Sequence, residues 1–223
     1  MFHKMIVLAF ISTFLLDAAY ADSVGMSRTY DNEVLFDSDF KCLAKSNYSF
    51  FVAQLWKEAG FVDSIGFENL GNVRLGGINN VDGLFSPCLS TKCAKPAAQM
   101  EVTINQLKMR DETVGTMWIE VLGENWAADT SANQATLNSI VDKAKSMQVK
   151  AGIYSDYSDW ERIMGATYTD QSALQLFWQN QDDTQTLKGF LPFGGWTKPY
   201  IKEYSFMNWI KSCDLTINEI WMP

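Results

Sequence analysis

The segment that decides the fold and the chemistry is MWIEVLGENW, which runs from Met117 to Trp126. Its first half is apolar and predicts a strand, in which side chains alternate between two faces. Trp118, Glu120 and Leu122 therefore share one face, about 6.6 Å apart along it. Two carboxylates at such a spacing suit glycoside hydrolysis, whose paired acids stand about 5 to 9.5 Å apart. Here leucine occupies the second position, so the strand carries half of such a pair.

The N-terminus has the pattern of a secretory signal peptide. Lys4 precedes the apolar run from Ile6 to Leu16, and Ala19-Tyr-Ala21 has the small-x-small pattern of a signal-peptidase cleavage site. We therefore expect cleavage before Asp22. The apolar run is shorter than the roughly 20 residues that span a membrane, and no later run qualifies. We therefore expect residues 1–21 to be removed and residues 22–223 to form one secreted domain without a membrane anchor.

The chain is acidic, with a formal net charge of -8 at pH 7. Removal of residues 1–21 takes away Lys4 and Asp17, one charge of each sign, so the exported part keeps that charge. This balance argues against a nucleic-acid partner, which requires a basic surface. It also argues against long-range attraction to an anionic bacterial wall, so any such contact must be short-range.

Four cysteines form an even set in a chain that we expect to be exported, which favours disulfides. Three connectivities are possible. Cys88 and Cys93 are close enough in sequence to close their own loop, which leaves Cys42 and Cys213 to join the start of the domain to its end. Zinc binding is the competing interpretation, but the spacing lacks paired C-x-x-C units, and we expect no metal.

The absence of histidine after His3 limits the chemistry of the exported part. Without imidazole and free thiols, Ser-His-Asp and Cys-His nucleophilic systems are excluded. The chain also lacks a Gly-x-Gly-x-x-Gly motif and a P-loop, so we expect no cofactor. Carboxylates, hydroxyls and amines remain as candidate functional groups.

Strand-like runs alternate along the chain with amphipathic helix-like runs, which is typical of an α/β fold with a largely parallel sheet. The predicted strands are Ser27–Asp31, Tyr48–Trp56, Asn80–Ser86, Met117–Leu122, Lys150–Asp156, Ala173–Gln179, Ile201–Phe206 and Asp214–Trp221. The predicted helices are Ser38–Ser46, Ser64–Leu75, Pro96–Met109, Ser131–Met147 and Asp159–Met164. Eight strands with about five helices, thinning toward the C-terminus, predict an incomplete (β/α)8 barrel of the TIM type. Its active site should lie at the C-terminal ends of the strands, where we place Asp82, Leu122, Glu124 and Asp156.

Three strings carry a resemblance to a known family: DGLFSPC (82–88), GIYSDYSDW (152–160) and FLPFGGWTKP (190–199). In this order they resemble the nematode and protist-type lysozymes of glycoside hydrolase family 25, over nearly the whole exported part. The resemblance implies a secreted muramidase with a TIM-type barrel. Such an enzyme cuts the β-1,4 bond between N-acetylmuramic acid and N-acetylglucosamine in bacterial peptidoglycan, often in innate defence or feeding.

The resemblance also places the catalytic acids, and there the sequence departs from the family. The family pattern Trp-x-Asp-x-Glu-Gly is met by Trp118-Ile-Glu-Val-Leu-Gly123, so the aspartate has become Glu120 and the proton-donating glutamate has become Leu122. Leucine cannot donate a proton. Two further acidic positions fall at Asp82 and Asp31, whereas Asn218 stands where the family has an acid near the C-terminus.

Glu124 is the candidate substitute for the missing donor, because it lies four residues beyond Glu120 and strand alternation would put both on one face. It would stand about 6.6 Å past the expected donor, whereas catalysis tolerates an error of about 0.5 Å. The catalytic candidates are thus Glu120, Asp82, Asp31 and Glu124.

Aromatic residues are the candidate sugar-binding groups, and each has a competing interpretation as core. The substrate-binding candidates are Trp118, Tyr154, Trp178 and Trp196, with Trp126 as a further candidate platform. Glu120 and Asp82 have a competing interpretation as hydrogen-bonded core acids. Asp156 and Asp159 fit turn and helix-cap positions better than roles in the mechanism.

Two functions remain open at this point. The first is a monomeric, secreted lysozyme-like protein that binds bacterial peptidoglycan, with hydrolysis weakened or lost because of Leu122. The second is an active muramidase in which Glu120 or Glu124 donates the proton and Asp31 or Asp82 stabilises the developing oxocarbenium ion.

Overall fold

The computed structural model describes residues 23–29 and 33–223. The strands are β1 (Ser23–Thr29), β2 (Tyr48–Lys57), β3 (Phe61–Val62), β4 (Asn80–Phe85), β5 (Met117–Glu120), β6 (Ala151–Ser155), β7 (Gln175–Gln179), β8 (Ile201–Ile210) and β9 (Leu215–Met222). The helices are α1 (Asp37–Lys45), α2 (Ser64–Leu75), α3 (Pro96–Met109), α4 (Thr130–Ser146) and α5 (Tyr157–Met164). The predicted signal peptide and Asp31 lie outside the described residues, so both remain predictions.

Eight of these strands close into a barrel. The strands β2, β4, β5, β6, β7 and β8 pair in parallel in that order. Strand β9 runs antiparallel between β8 and β1, and the parallel pairing of β1 with β2 closes the ring. The predicted eight-stranded α/β barrel with five helices is confirmed. The two-residue strand β3 pairs with the end of β2 outside the ring, and it is too short for an alternation pattern to predict it.

Alternation along the strands separates a lumen from an outer layer. The lumen contains a tightly packed apolar group formed by Phe50, Val52, Leu84, Trp118, Tyr154, Phe177, Ile201, Ile220 and Met222. The opposite faces of the strands pack with the helices in a second, larger apolar layer. The barrel interior is therefore core rather than a channel, as is typical of eight-stranded barrels.

Local sequence signals mark the starts of α2, α3, α4 and α5. Asp63, Asp129 and Asp156 cap α2, α4 and α5 by accepting hydrogen bonds from backbone N–H groups of the first turn. Pro96 occupies the first turn of α3, where its missing N–H costs nothing. After α5, the described chain reaches β7, β8 and β9 without another helix, as the sequence predicted. In the described part of the chain, none of the helices has the length and apolarity needed to span a membrane.

Both predicted disulfides are confirmed. Cys42–Cys213 joins α1 to the turn between β8 and β9 across 171 residues, and Cys88–Cys93 closes a short loop after β4. In the chain-entropy model the long bridge restricts the unfolded state by about 5 kcal/mol. It therefore holds the last hairpin against the start of the barrel.

Candidate active site

Polar side chains form a layer above the apolar part of the lumen, at the C-terminal ends of the strands. Each stands two residues after an apolar lumen residue, and Ser86 does so directly after the end of β4: Gln54 after Val52, Ser86 after Leu84, Glu120 after Trp118, Gln179 after Phe177 and Glu203 after Ile201. Because alternation has a period of two, these polar residues share the lumen face. The layer therefore follows from the strand sequences once their register is known.

A cleft of about 330 Å³ opens at this end of the barrel. The described residues that line it are Glu58, Ser86, Pro87, Glu120, Leu122, Gly123, Asn125, Trp126, Asp159 and Gln179. They come from the ends of β5 and β7, from the loops that follow β2, β4 and β5, and, for Asp159, from α5. This is where a β/α barrel places its active site.

Glu120 reaches the cleft as the sequence predicted. It is the last residue of β5, and its Oε2 accepts a hydrogen bond from the Ser86 hydroxyl on the neighbouring strand. Ser86 in turn accepts a hydrogen bond from Gln54 Nε2 at 3.1 Å. This chain of polar groups across β2, β4 and β5 holds the Glu120 carboxylate at the base of the cleft.

Leu122 also lines the cleft and packs against the apolar lumen group. The strand ends two residues before it, and the chain then turns at Gly123, whose φ of 76° favours glycine. The Gly123 N–H donates to Asp159 Oδ2 at 2.8 Å, and the Gly123 carbonyl accepts from Arg162 at 2.6 Å. An aliphatic side chain is thus fixed in the cleft, close to Glu120 in sequence.

Glu124 is not where the sequence predicted it. Its side chain is 92% exposed, does not line the cleft, and lies 3.8 Å from Arg162. The prediction assumed that strand alternation continues to position 124, but β5 ends at Glu120 and Gly123 redirects the chain. Glu124 is therefore turned out of the position of a substitute donor.

Asp82 lies away from the C-terminal strand end where we placed it. It is the third of the six residues of β4, and it accepts hydrogen bonds from Thr116 N at 2.7 Å and Trp118 Nε1 at 2.8 Å. Burial raises the pKa of Asp82, against the opposing effects of these two donors and of Lys150. Thr116 and Lys150 directly precede β5 and β6, and Trp118 is the second residue of β5. The Asp82 carboxyl therefore lies toward the N-terminal ends of the strands. At the C-terminal end of β4, the residue beside Glu120 is Ser86.

The four predicted sugar-binding aromatics are also absent from the lining of the cleft. Trp118 and Tyr154 are buried in the lumen. Trp178 neighbours the lumen residue Phe177, so alternation turns it outward, where it packs on Phe190. Trp196 packs on Trp160, and its Nε1 donates to the Leu174 carbonyl at 2.7 Å.

Trp126 is the aromatic residue that lines the cleft, and the sequence singled it out only as a further platform. Asp156 caps α5, as predicted, by accepting from Asp159 N at 2.8 Å. Asp159 itself reaches the cleft and also contacts Arg162. The loop after β5 thus supplies more of the site than the strands alone indicated.

Two carboxylates near the site were missed by the sequence analysis. Glu58 follows β2, lines the cleft, and accepts from Asn125 Nδ2 at 2.7 Å. Glu203 lies on β8 and is buried in the lumen. The alternation Ile201-x-Glu203-x-Ser205 resembles Trp118-x-Glu120, and that signal could have identified Glu203. Glu58 follows the end of β2, where no alternation pattern marks it.

Asn218, which stands at an acidic position of the family, is buried beside Glu203. Its Nδ2 donates to Glu203 Oε2 at 3.3 Å, and its Oδ1 accepts from Met207 N at 3.2 Å. Among the residues described, His, Cys, Asp and Glu side chains form no group of three or more that could hold a metal ion.

Comparisons with known proteins agree with this architecture. The family described as "Lysozyme-like protein 1" matches residues 19–204. Lysozyme-like protein 5 of Caenorhabditis elegans is 34% identical over 174 residues, which cover 78% of this chain and 81% of that protein. Probable GH family 25 lysozyme 2 of Dictyostelium discoideum is 32% identical over 184 residues, which cover 82% of this chain and 84% of that protein.

Solved structures show the same fold. A family GH25 lysozyme from Aspergillus fumigatus superposes with a TM-score of 0.71 at 12% identity, covering 91% of this chain and 94% of that one. The muramidase from Trichobolus zukalii superposes with a TM-score of 0.69 at 12% identity, covering 90% and 93% of the two chains. On the family match and its two relatives above 30% identity, the chain belongs to the lysozyme-like proteins of glycoside hydrolase family 25.

Proposed function

We propose that this protein is a secreted lysozyme-like protein that binds the glycan strands of bacterial peptidoglycan, in defence or feeding, and that its hydrolytic activity is weakened or lost. Family membership supports the ligand class. The observation that carries the proposed loss of activity is Leu122, which lines the cleft and which the resemblance to the family pattern assigns to the position of the proton donor. Loss of a positioned general acid removes a factor of about 10² to 10⁴ in rate.

The lining of the cleft supports retention of a glycan ligand. Trp126 offers an apolar ring for the face of a sugar, and Asn125, Gln179 and Ser86 offer amide and hydroxyl groups for its polar substituents. Binding therefore does not require the missing donor.

Glu58 supports a second candidate function, an active muramidase with a rearranged pair of acids. It shares the cleft with Glu120, and Asn125 holds its carboxylate at 2.7 Å. In this alternative one of the two carboxylates donates the proton and the other stabilises the developing positive charge, as paired acids do in glycosidases.

Two assays on the same suspended peptidoglycan separate the candidates. We expect the wild type to sediment with peptidoglycan at pH 4 to 7 and to clear the suspension little or not at all. Clearing at ordinary lysozyme rates would contradict the loss of hydrolysis. Glu58→Gln and Glu120→Gln would then identify the acids, because loss of clearing in both supports the pair. Export is tested by N-terminal sequencing of protein secreted from eukaryotic cells, which should begin at Asp22.

The variant Leu122→Glu returns a carboxylate to the cleft, and we expect it to restore hydrolysis only in part. Asn218 still stands where the family pattern has an acid near the C-terminus. Clearing rates of Leu122→Glu and of a matched Leu122→Gln control, which has the same shape without a titratable group, measure the gain. Full lysozyme activity from this one change would show that the other departures are harmless.

A further inference from the structure

The buried carboxylate of Glu203 accepts four hydrogen bonds. Its side chain is 2% exposed. It accepts hydrogen bonds from Ser27 Oγ and Tyr154 OH at 3.0 Å each, and from Asn218 Nδ2 and Gln181 Nε2 at 3.3 Å each. The donors come from β1, β6, β9 and the loop after β7, so four separate segments converge on one group.

The bond from Tyr154 determines how the next side chain is oriented. A phenol has one proton, and Tyr154 donates it to Glu203 Oε1. The Tyr154 oxygen then accepts from Gln179 Nε2 at 3.0 Å. Gln179 is one of the residues that line the cleft. The carboxylate can only accept, so the direction of each bond along Glu203, Tyr154 and Gln179 follows from it.

This direction determines what Gln179 offers to a ligand. Its amide has an NH2 group on one branch and a carbonyl oxygen on the other. One of the two Nε2 hydrogens is donated to Tyr154, so the NH2 branch of the amide is held toward the lumen and Oε1 lies on the other branch. An acceptor is therefore available to the cleft at this point, beside the second Nε2 hydrogen.

We propose that Glu203 is a positioning residue that sets the hydrogen-bond polarity of the cleft: through Tyr154 it holds Gln179 as an acceptor for the N–H of a 2-acetamido sugar. The inference rests on the proposed function, in that the ligand is a glycan. A site that accepts an N–H discriminates against a ligand that lacks this donor, because the hydrogen bond is then lost.

Neutralising Glu203 should release this constraint. In Glu203→Gln the new amide can donate to the Tyr154 oxygen, and the phenol proton can then turn toward Gln179. The Gln179 amide can rotate and present its NH2 group to the cleft. The variant keeps nearly the same shape, so the change is one of polarity.

The experiment compares two soluble ligands that differ at the 2-position. Chitotetraose carries 2-acetamido groups and cellotetraose carries hydroxyls in their place, and calorimetry measures the affinity of the whole exported chain for each. The matched control is Glu219→Gln. Glu219 lies on β9 and accepts from Tyr48 OH and Asn208 Nδ2, so the same change occurs beside similar donors, and Glu219 does not line the cleft.

We expect Glu203→Gln to lower the preference for chitotetraose over cellotetraose about tenfold, equivalent to about 1.4 kcal/mol. Glu219→Gln should leave this preference unchanged. Tyr154→Phe interrupts the same path and should lower the preference similarly, and combining it with Glu203→Gln should add little. If Glu203→Gln does not fold, Tyr154→Phe decides the outcome alone.

Three results would overturn the inference. They are an unchanged preference in folded Glu203→Gln, equal weakening toward both ligands, and a wild type that sediments with peptidoglycan but does not bind chitotetraose. The last result leaves the proposed function standing. Conversely, a Glu203-dependent preference for chitotetraose in a protein that does not bind peptidoglycan supports the inference and contradicts the proposed function.

Discussion

At Leu122 the requirements of packing and those of the proposed chemistry can be separated. Its aliphatic atoms pack against the apolar lumen group at the edge of the cleft. Glutamate and leucine are similar in size, so the barrel tolerates either, whereas only the carboxyl can donate a proton. A well-packed side chain at this position is therefore no evidence of catalytic activity.

Asp82 shows the opposite case, an acid that remains without a place in the cleft. It accepts hydrogen bonds from Trp118 Nε1 and Thr116 N, which fix the tryptophan inside the barrel. Burial nevertheless raises the pKa of Asp82 above its ordinary value of 3.8. Its charged form therefore costs stability, and the residue acts on the barrel rather than on a ligand.

We expect Asp82 to give the stability of the wild type a specific pH dependence. The folded protein binds the Asp82 proton more tightly than the unfolded chain, whose carboxyl has a pKa near 3.8, so stability from this group is fully present below that value. It is lost as the pH rises through the raised folded pKa, and then stays constant. The free energy of unfolding of the wild type minus that of Asp82→Asn should therefore fall with rising pH. Urea denaturation between pH 3 and 7 measures this difference, and a constant or rising difference would contradict the assignment.

At the level of elements, the position at which β5 ends determines which residues of the following loop enter the cleft. Gly123 turns the chain where alternation stops, and Asp159 and Arg162 of α5 hold that turn through its N–H and carbonyl. Trp126 and Asn125 consequently enter the cleft, and Glu124 leaves it. The disulfides act at the same scale, because Cys42–Cys213 connects α1 to the turn between β8 and β9 and Cys88–Cys93 closes the loop after β4.

The two disulfides should contribute unequally to stability. Their sequence separations are 171 and 5 residues, so the chain-entropy model assigns about 5 kcal/mol to Cys42–Cys213 and about 2 kcal/mol to Cys88–Cys93. The double variant Cys42→Ser/Cys213→Ser should therefore lose more free energy of unfolding than Cys88→Ser/Cys93→Ser. Urea denaturation of both variants beside the wild type checks this order. Equal losses, or the reverse order, would show that native contacts around the bridges outweigh loop entropy.

At the level of the whole molecule, the negative net charge argues against binding of anionic ligands through charge attraction. Its formal net charge is -8, and the cleft is lined by Glu58, Glu120 and Asp159 without a lysine or arginine among its described lining residues. Attraction to an anionic wall at long range is therefore absent. Contacts of short range inside the cleft must supply the affinity that we propose.

Binding to peptidoglycan should accordingly withstand added salt. Salt screens repulsion between like-charged surfaces as well as attraction between opposite ones, and the Debye length falls from about 30 Å at 0.01 M to about 3 Å at 1 M. The fraction that sediments with peptidoglycan should stay constant or rise between 0.02 and 0.5 M NaCl. A steep loss of binding over this range would indicate an electrostatic mode that the charge balance argues against.

The sequence by itself determined the pattern of elements, the barrel, both disulfides and the lumen face that carries Trp118 and Glu120. These features depend on local periodicity and on cysteine spacing, which are readable along the chain. Only the tertiary structure decided which end of the barrel Asp82 occupies, that Trp126 rather than Trp178 reaches the cleft, and that Glu58 shares the cleft with Glu120. Those placements depend on strand register and on the ends of strands, where alternation stops. They also depend on contacts such as that between Ser27 and Glu203, which lie 176 residues apart and meet only when the ring closes.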